Sequence, residues 1–263
     1  MARLDPVFAR TRAEGRAALI GYLPAGYPTV EDSAARLSAM VDAGCDIVEI
    51  GLPYSDPVMD GPTIQAAADR ALKGGFRLRD LFRVVESVAS AGGQAVVMTY
   101  WNPVHAYGVD RFARDLAAAG GLGMITPDLI PDEGADWLAA SDAHDLDRIF
   151  LVAPSSTPER LALTAAATTG FLYATAVMGV TGARDKVGSA AAGLVARARE
   201  CARDLPIAVG LGVRSGDQAA EVASFADAVV VGSAFVSKAG DDKGVRELAA
   251  ELAEGVRRPL VTR

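Results

Sequence analysis

Short apolar runs alternate along the whole chain with longer segments in which apolar residues recur every three or four positions. Apolar runs of about four to eight residues are typical of buried strands, and the wider spacing is typical of helices with one buried face. The predicted strands span residues 17–23, 47–50, 94–100, 123–125, 148–152, 170–174, 207–210 and 228–231. A helical segment follows each of them, so the chain contains eight successive strand-helix units.

Eight such units, joined without a break in composition, predict an α/β fold: one (β/α)8 TIM barrel, with residues 1–263 forming a single domain. A doubly wound open sheet is the alternative, because periodicity alone does not show that a sheet closes. Leu4, Val7 and Phe8 follow helical spacing around an Asp-Pro pair. They predict a short extra N-terminal helix that plugs one end of the barrel.

Composition narrows the class of protein. The chain has 263 residues, of which 51% are hydrophobic and 22% charged, so a large core is available and disorder is disfavoured. The net charge of -7 disfavours nucleic acid and anionic membranes as partners. The N-terminus has no secretory pattern and no apolar run approaches the length of a membrane span, so we expect a cytoplasmic protein. Cys45 and Cys201 show no metal or redox spacing and are interpreted as reduced core residues.

Two acids stand out in and after the second predicted strand. Glu49 lies one residue before the end of a strand that is otherwise apolar, and it shares a face with Ile47. Asp60 lies eleven residues later in a loop rich in glycine and proline. In a barrel, both would lie on the face where the loops after the strands form active sites. The competing structural interpretations are a solvated or salt-bridged strand end for Glu49 and an ordinary Asp-Gly turn for Asp60.

Glycines follow the seventh and eighth predicted strands, at Gly210, Gly212 and Gly232, and Ser233 then begins a helix. Loops at these two places often bind phosphate in TIM barrels, because glycine lets backbone N-H groups approach an anion. A simple N-cap is the alternative interpretation of the Gly-Ser pair. The two histidines, His105 and His144, are far apart in the predicted structure and lack ligand spacing, so we predict no catalytic metal.

The residues around these acids form a long and specific motif. The segment 48–65, VEIGLPYSDPVMDGPTIQ, resembles the tryptophan synthase α subunit family. Further similar segments are YLPAGYP at 22–28, MTYWNP at 98–103, GVTGAR at 179–184, VGLGV at 209–213 and VGSAF at 231–235. The resemblance spans nearly the whole chain. It implies a TIM barrel that cleaves indole-3-glycerol phosphate to indole and glyceraldehyde 3-phosphate by a retro-aldol reaction in tryptophan biosynthesis.

The resemblance also implies roles for individual residues. Glu49 and Asp60 match the two catalytic acids. The implied substrate-binding positions are Tyr22, Met98 and Tyr173 around the indole, Thr181 in a closing loop, and Gly182, Gly212, Gly232 and Ser233 at the phosphate. Leu211 and Met98 depart from the phenylalanine and leucine that relatives often carry, which keeps the pocket apolar but leaves its shape open.

The implied chemistry needs two acids. Cleavage requires a proton on indole C3, loss of a proton from the adjacent hydroxyl group, and stabilisation of positive charge that reaches the indole nitrogen. We assign proton transfer to Glu49 and the indole N-H to Asp60. Three other functions stay open: a stand-alone lyase, another phosphate-binding barrel enzyme such as an isomerase or epimerase, and a non-catalytic subunit that regulates a partner.

The resemblance further implies a partner, a pyridoxal-phosphate β subunit that consumes the indole within an α2β2 heterotetramer, and no cofactor in this chain. The loop 52–58 and the segment 101–108, interpreted as an aromatic loop, are expected on the rim of the barrel mouth. Their alternative role is only to close the pocket. Residues 175–188 are predicted to form a long loop that serves as a lid, and a merely disordered surface loop is the alternative.

Overall fold

The computed structural model describes residues 3–175 and 184–258. Within this part of the chain, eight parallel strands close into a barrel in chain order, and the last strand pairs with the first. The strands are β1 (Ala18–Pro24), β2 (Ile47–Gly51), β3 (Ala95–Met98), β4 (Gly123–Thr126), β5 (Asp147–Val152), β6 (Leu172–Thr175), β7 (Ile207–Gly210) and β8 (Ala228–Val231). Closure confirms the (β/α)8 prediction and excludes the open doubly wound sheet.

Helices surround the barrel and also cover one of its ends. They are α1 (Asp5–Ala13), α2 (Val30–Asp42), α3 (Pro62–Lys73), α4 (Leu78–Ser90), α5 (Trp101–Tyr107), α6 (Val109–Ala118), α7 (Ala135–Ala143), α8 (Pro158–Ala167), α9 (Arg184–Ala202), α10 (Gly216–Ala223), α11 (Ser233–Lys238) and α12 (Asp242–Arg257). A single 3-10 turn, Pro131–Glu133, precedes α7. No helix in the described ranges is long and apolar enough to cross a membrane.

Two predicted segments need correction, and one helix was absent from the prediction. The aromatic segment after β3 is not a loop, because Trp101–Tyr107 forms α5. Pro103 is the third residue of that helix, where a backbone N-H has no helical acceptor, so the proline does not break it. The helix α9 begins at Arg184, inside the predicted lid, and residues 176–183 lie outside the described residues. The helix α12 was not predicted at all.

The barrel interior and the space between strands and helices form two separate cores. Ile20, Ile47 and the other inward-facing strand residues pack together inside the barrel, and α1 adds Leu4, Val7 and Phe8 to this cluster. The predicted N-terminal plug is therefore confirmed. Val48 and Ile50 belong to the outer core instead. Glu49 consequently points into the barrel on the same side as Ile47, because side chains alternate along a strand.

A buried ion pair joins the plugged end of the barrel to the strands. The carboxylate of Asp46, just before β2, accepts two hydrogen bonds from the Arg16 guanidinium at 2.7 and 2.8 Å. It also accepts one from Arg10 at 2.8 Å and one from the backbone N-H of Leu19 at 2.9 Å. Both side chains of the central pair are at most 5% exposed. These bonds tie α1, β1 and β2 together at the end opposite the mouth.

Candidate active site

Glu49 lies near the mouth end of β2, inside the barrel. Register pairs it with Tyr22 on β1 and Val96 on β3. The residue is 1% exposed, and its Oε2 atom has no hydrogen-bond partner among the described residues. Burial, reinforced by the nearby charge of Asp60, raises the pKa of the Glu49 carboxyl group to about 8. At neutral pH this group therefore holds a proton that it can donate.

Asp60 comes from the loop between β2 and α3 and reaches the same place. Burial raises the pKa of its carboxyl group, and a hydrogen bond from the Tyr100 hydroxyl opposes that rise. The charge of Asp60 in turn contributes to the raised pKa of Glu49. The structure thus brings the two predicted acids together in unlike environments, one fully buried and one supported by a hydrogen-bond donor. Such pairs suit separate acid and base roles.

A cavity of about 390 Å³ at the mouth of the barrel contains both acids. Its lining includes every predicted site residue that the structure describes, namely Tyr22, Glu49, Asp60, Met98, Tyr173, Gly212, Gly232 and Ser233. Thr181 and Gly182 lie outside the described residues. The cavity size and its mixture of apolar walls with a few polar groups are typical of a small-molecule site.

Two aromatic side chains reach far into this cavity because glycines lie opposite them. A Cβ atom at Gly51 would lie 2.3 Å from the Tyr22 hydroxyl oxygen, and one at Gly210 would lie 2.8 Å from that of Tyr173. Burial, followed by the charges of Glu49 and Asp60, raises the pKa of both phenols well above its ordinary value. Both tyrosines are therefore neutral at physiological pH.

Sequence reasoning assigned no role to several residues that line the cavity. Met59, Ile64, Leu151, Thr175 and Val230 also face it, beside Leu211, which the resemblance already placed in the apolar pocket. Met59 directly precedes the predicted acid Asp60 and Ile64 follows it by four residues, so proximity along the chain was an available signal. Leu151 and Thr175 end other strands, and only the closed barrel brings them to this site.

A further cavity of about 450 Å³ opens at the opposite end of the barrel, beside α1. Its charged lining includes Arg16, Arg199 and Asp227. Arg199 pairs with Asp227 at 2.9 Å, and Arg16 is bound to Asp46. This second cavity contains neither Glu49 nor Asp60, which both line the cavity at the mouth. In the described part of the chain, no three His, Cys, Asp or Glu side chains are grouped closely enough to hold a metal ion.

Comparison with known proteins agrees with this geometry. The family model described as tryptophan synthase alpha chain matches residues 8–259. The tryptophan synthase alpha chain of Nocardia farcinica is 66% identical over 260 residues, covering 98% of this chain and 97% of the relative. The alpha chain of Mycobacterium marinum is 65% identical over 256 residues, covering 97% and 95%. The chain belongs to the tryptophan synthase alpha chain family. A solved structure of Mycobacterium tuberculosis tryptophan synthase matches this alpha-family barrel with a TM-score of 0.93 and 62% identity, covering 97% of this chain and 98% of that one.

Membership in the tryptophan synthase alpha chain family makes this protein a lyase-class enzyme subunit of tryptophan biosynthesis. The two departures noted in the sequence, Met98 and Leu211, both line the mouth cavity. Leu211 is 7% exposed, so an apolar side chain still forms this part of the wall.

Proposed function

We propose that this chain catalyses the retro-aldol cleavage of indole-3-glycerol phosphate to indole and glyceraldehyde 3-phosphate. The observation that carries the proposal is the Glu49 carboxyl group, which is buried, unpartnered at Oε2 and protonated near neutral pH in the cavity that also holds Asp60. A purely structural acid at a strand end would be solvated or paired with a cation. Glu49 is 1% exposed and forms no ion pair with any described residue, and its environment instead suits general acid-base catalysis.

Each acid has a distinct task in this reaction. Glu49 donates its proton to indole C3, which leaves the ring cationic, and Asp60 stabilises that charge by accepting a hydrogen bond from the indole N-H. Glu49, now ionised, takes the proton of the adjacent hydroxyl group. The carbon-carbon bond then breaks, its electrons restore the neutral indole, and the hydroxyl carbon becomes the aldehyde. Glu49 gives one proton to C3 and regains one from the hydroxyl group, so it ends the reaction in its starting form. The proposed reaction therefore needs no cofactor bound to this chain.

The remaining lining residues would orient the substrate. Tyr22, Met98 and Tyr173 supply apolar walls for the indole. Gly212 and Gly232 follow β7 and β8, where exposed backbone N-H groups can bind the phosphate together with Ser233. By resemblance, Gly182 would join the phosphate site and Thr181 the closing loop. Binding energy from the phosphate, which does not react, would then hold the reacting carbon between the acids.

A partner subunit is part of the proposal. Indole is apolar and uncharged, so a separate enzyme that consumes it gains from docking over the mouth. Val58 and Met59 are 78% and 49% exposed, and Ile130 is 42% exposed. A cavity of about 580 Å³ lined by Ile130 shares Met59, Leu151 and Thr175 with the acid-containing cavity. We therefore assign Val58, Met59 and Ile130 to the docking surface for a pyridoxal-phosphate β subunit, as in an α2β2 complex.

The decisive experiment measures indole release from indole-3-glycerol phosphate by the purified chain. We expect activity that is unaffected by a chelator, and a fall of about 10²- to 10⁴-fold in turnover for Glu49→Gln, which keeps the volume and removes the acid. Glu86→Gln is the matched control, because Glu86 is exposed on α4. Absence of indole from the wild-type chain, alone and with a β subunit, would support a non-catalytic subunit instead. Near wild-type turnover of Glu49→Gln would remove Glu49 from the mechanism.

A further inference from the structure

Tyr100 contacts the Asp60 loop through a single hydroxyl group. The residue follows β3 and is 4% exposed. Its hydroxyl oxygen accepts a hydrogen bond from the backbone N-H of Met59 at 3.0 Å. The Asp60 carboxyl group follows directly in the chain, and its interaction with the Tyr100 hydroxyl opposes the rise that burial causes in the Asp60 pKa. One buried side chain therefore affects two consecutive residues of the loop that carries the acid.

This contact matters because the surrounding loop is exposed. Val58, immediately before Met59, is 78% exposed, and Met59 itself is 49% exposed. On the other side of the acid, the Gln65 side chain donates to the backbone carbonyl of Asp60 at 2.8 Å. That bond fixes the backbone and leaves the direction of the carboxylate free. The Tyr100 hydroxyl group holds the loop on the other side of the acid, at the backbone of Met59, and it also affects the pKa of the Asp60 carboxyl group.

Tyr100 is itself held in place from the rim of the barrel. Its ring lies against that of Tyr54, with centroids 5.3 Å apart, and Asn102 donates to the Tyr54 hydroxyl at 3.2 Å. The next residue, Trp101, donates its backbone N-H to the Asp128 carboxylate at 2.9 Å. Contacts from two loops and from the start of α5 thus restrict the position of the ring. Tyr100 does not line the substrate cavity, so its effect on substrate passes through the loop residues that do, Met59 and Asp60.

We propose that Tyr100 is the positioning residue for Asp60, holding the loop at Met59 so that the carboxylate of Asp60 faces the substrate cavity and the indole N-H. This role rests on the proposed lyase function. The hydroxyl group accepts a hydrogen bond from the backbone N-H of Met59, the residue that directly precedes Asp60, so it restrains the chain next to the acid. Asp60 would otherwise depend on an exposed loop for its orientation, and a misplaced charge would stabilise the cationic intermediate poorly.

The groups that face Asp60 determine the expected pH dependence. They are Glu49, Tyr22, Tyr173 and Tyr100, whose pKa values all carry a contribution from the charge of Asp60. The donation from Tyr100 lowers the pKa of Asp60, whereas burial raises it. Removing the hydroxyl group therefore raises the pKa of Asp60. The acid limb of the pH-rate profile, where Asp60 must lose its proton, then moves to higher pH.

The test compares Tyr100→Phe with Tyr107→Phe. The Tyr107 hydroxyl also donates to a carboxylate, that of Asp115 at 2.6 Å, but its ring packs against Phe82 and Phe112 away from the cavity. For Tyr100→Phe we expect kcat to fall by about 10- to 100-fold, the effect of losing a hydrogen bond to a charged group, with KM changed less than about twofold. The acid limb moves to higher pH. Tyr107→Phe keeps the wild-type kcat, KM and pH profile.

Two further measurements separate positioning from general loss of structure. In an Asp60→Asn background, Tyr100→Phe lowers kcat by less than about twofold, because a residue that acts through Asp60 has nothing left to position. Amide hydrogen exchange at Met59 becomes faster in Tyr100→Phe and not in Tyr107→Phe. An active wild-type chain with unchanged kcat, pH profile and Met59 exchange in Tyr100→Phe overturns the role of Tyr100 alone. Absence of indole from the wild-type chain overturns the lyase function and this role together.

Discussion

A buried carboxyl group favours its protonated form, and Glu49 shows what this preference does to both reactivity and stability. Its placement follows from strand alternation, which turns it into the barrel with Ile47, and from burial that leaves it 1% exposed. The same burial that supplies a proton donor near neutral pH opposes ionisation of the folded protein. The site is therefore a local source of instability once that proton leaves.

The stability of the folded protein should depend on pH through Glu49. Its folded pKa of about 8 lies above the ordinary value of 4.5, so the folded state holds a proton that the unfolded state loses. The contribution of the wild-type side chain is greatest below pH 4.5, and it is lost as the pH rises to about 8, by up to roughly 1.4 kcal/mol per pH unit. Glu49→Gln does not titrate. We expect it to gain stability relative to wild type as the pH rises.

Urea unfolding between about pH 5 and pH 8.5 measures this effect. Glu86→Gln, the exposed control, should show the same free energy difference from wild type at every pH. A difference between Glu49→Gln and wild type that is likewise independent of pH would show that the carboxyl group ionises freely in the folded state. That result would also remove the reason to assign it the proton-donor role.

The helices and strands show which parts of the fold are readable from sequence. The seventh and eighth strands were predicted with the bounds that the structure has, because each is a short apolar run between turn residues. The helix α5 was not predicted because a proline such as Pro103 usually ends a helix, whereas here it lies in the first turn, where a proline is tolerated. The helix α12 was missed although Val245, Leu248, Ala249 and Leu252 repeat at helical spacing, so its signal was present.

The candidate site, like the helices and strands, was predictable in part. The reasons differ from those that apply to the helices and strands. Glu49 and Asp60 were found because an acid in an apolar strand and a long motif are properties of consecutive residues. Tyr100 lies within one of the similar segments, yet its sequence shows only another aromatic residue after a strand. Its function depends on a loop that returns from β2 to meet β3, and such a contact between distant segments has no local sequence signal.

The ion pair at the plugged end provides a test of how α1, β1 and β2 are joined. Burial raises the pKa of Asp46, but the hydrogen bonds from Arg16, Leu19 and Arg10 outweigh it and hold the pKa below its ordinary value. Asp46→Asn would leave the buried Arg16 guanidinium without its main counter-charge. We expect the free energy of unfolding at pH 7 to fall by about 3 to 5 kcal/mol. Asp42→Asn removes an exposed pair with Arg246 at 3.4 Å and should cost at most about 1 kcal/mol.

The difference in stability between wild type and Asp46→Asn should depend on pH in the opposite direction to the difference between wild type and Glu49→Gln. The contribution of Asp46 is present above the ordinary aspartate pKa of 3.8 and is lost as the pH falls through the lowered folded value. The gap between wild type and Asp46→Asn should therefore narrow in acid, as followed by urea unfolding. An effect of Asp46→Asn no larger than that of Asp42→Asn would mean that Arg16 finds adequate compensation from Glu14, its other carboxylate neighbour at 2.6 Å.

The closed barrel has two ends that differ in their charged and apolar groups. One end is covered by α1, and the other is the mouth. At the end covered by α1, Arg16 is paired with Asp46 and Arg199 with Asp227, and the apolar plug seals the interior. The mouth instead holds the Glu49 carboxyl group, whose Oε2 atom has no hydrogen-bond partner among the described residues, and the exposed side chains of the proposed docking surface. This division agrees with barrels in which the loops after the strands carry function and the opposite end carries stability. A partner that receives indole would have to approach the mouth.

The docking surface can be tested with one exposed apolar residue at the mouth and another elsewhere. Val58 is 78% exposed beside the Asp60 loop, and Leu163 is 41% exposed on α8. An aspartate at position 58 would bury a charge if a pyridoxal-phosphate β subunit covers this loop. We expect Val58→Asp to weaken binding of a cognate β subunit by about tenfold or more, and Leu163→Asp to bind like wild type. Calorimetric titration gives the dissociation constants.

The rate of indole formation in the same mixtures shows whether docking also acts on the site. The loop that carries Val58 continues directly into Met59 and Asp60, so a partner that orders it should raise the turnover of the wild-type chain. Val58→Asp should lose most of that increase at subunit concentrations that saturate wild type, while its activity without the partner changes little. Equal binding by the two variants would place the interface elsewhere. No complex at micromolar concentrations, together with high activity of the chain alone, would identify a stand-alone lyase.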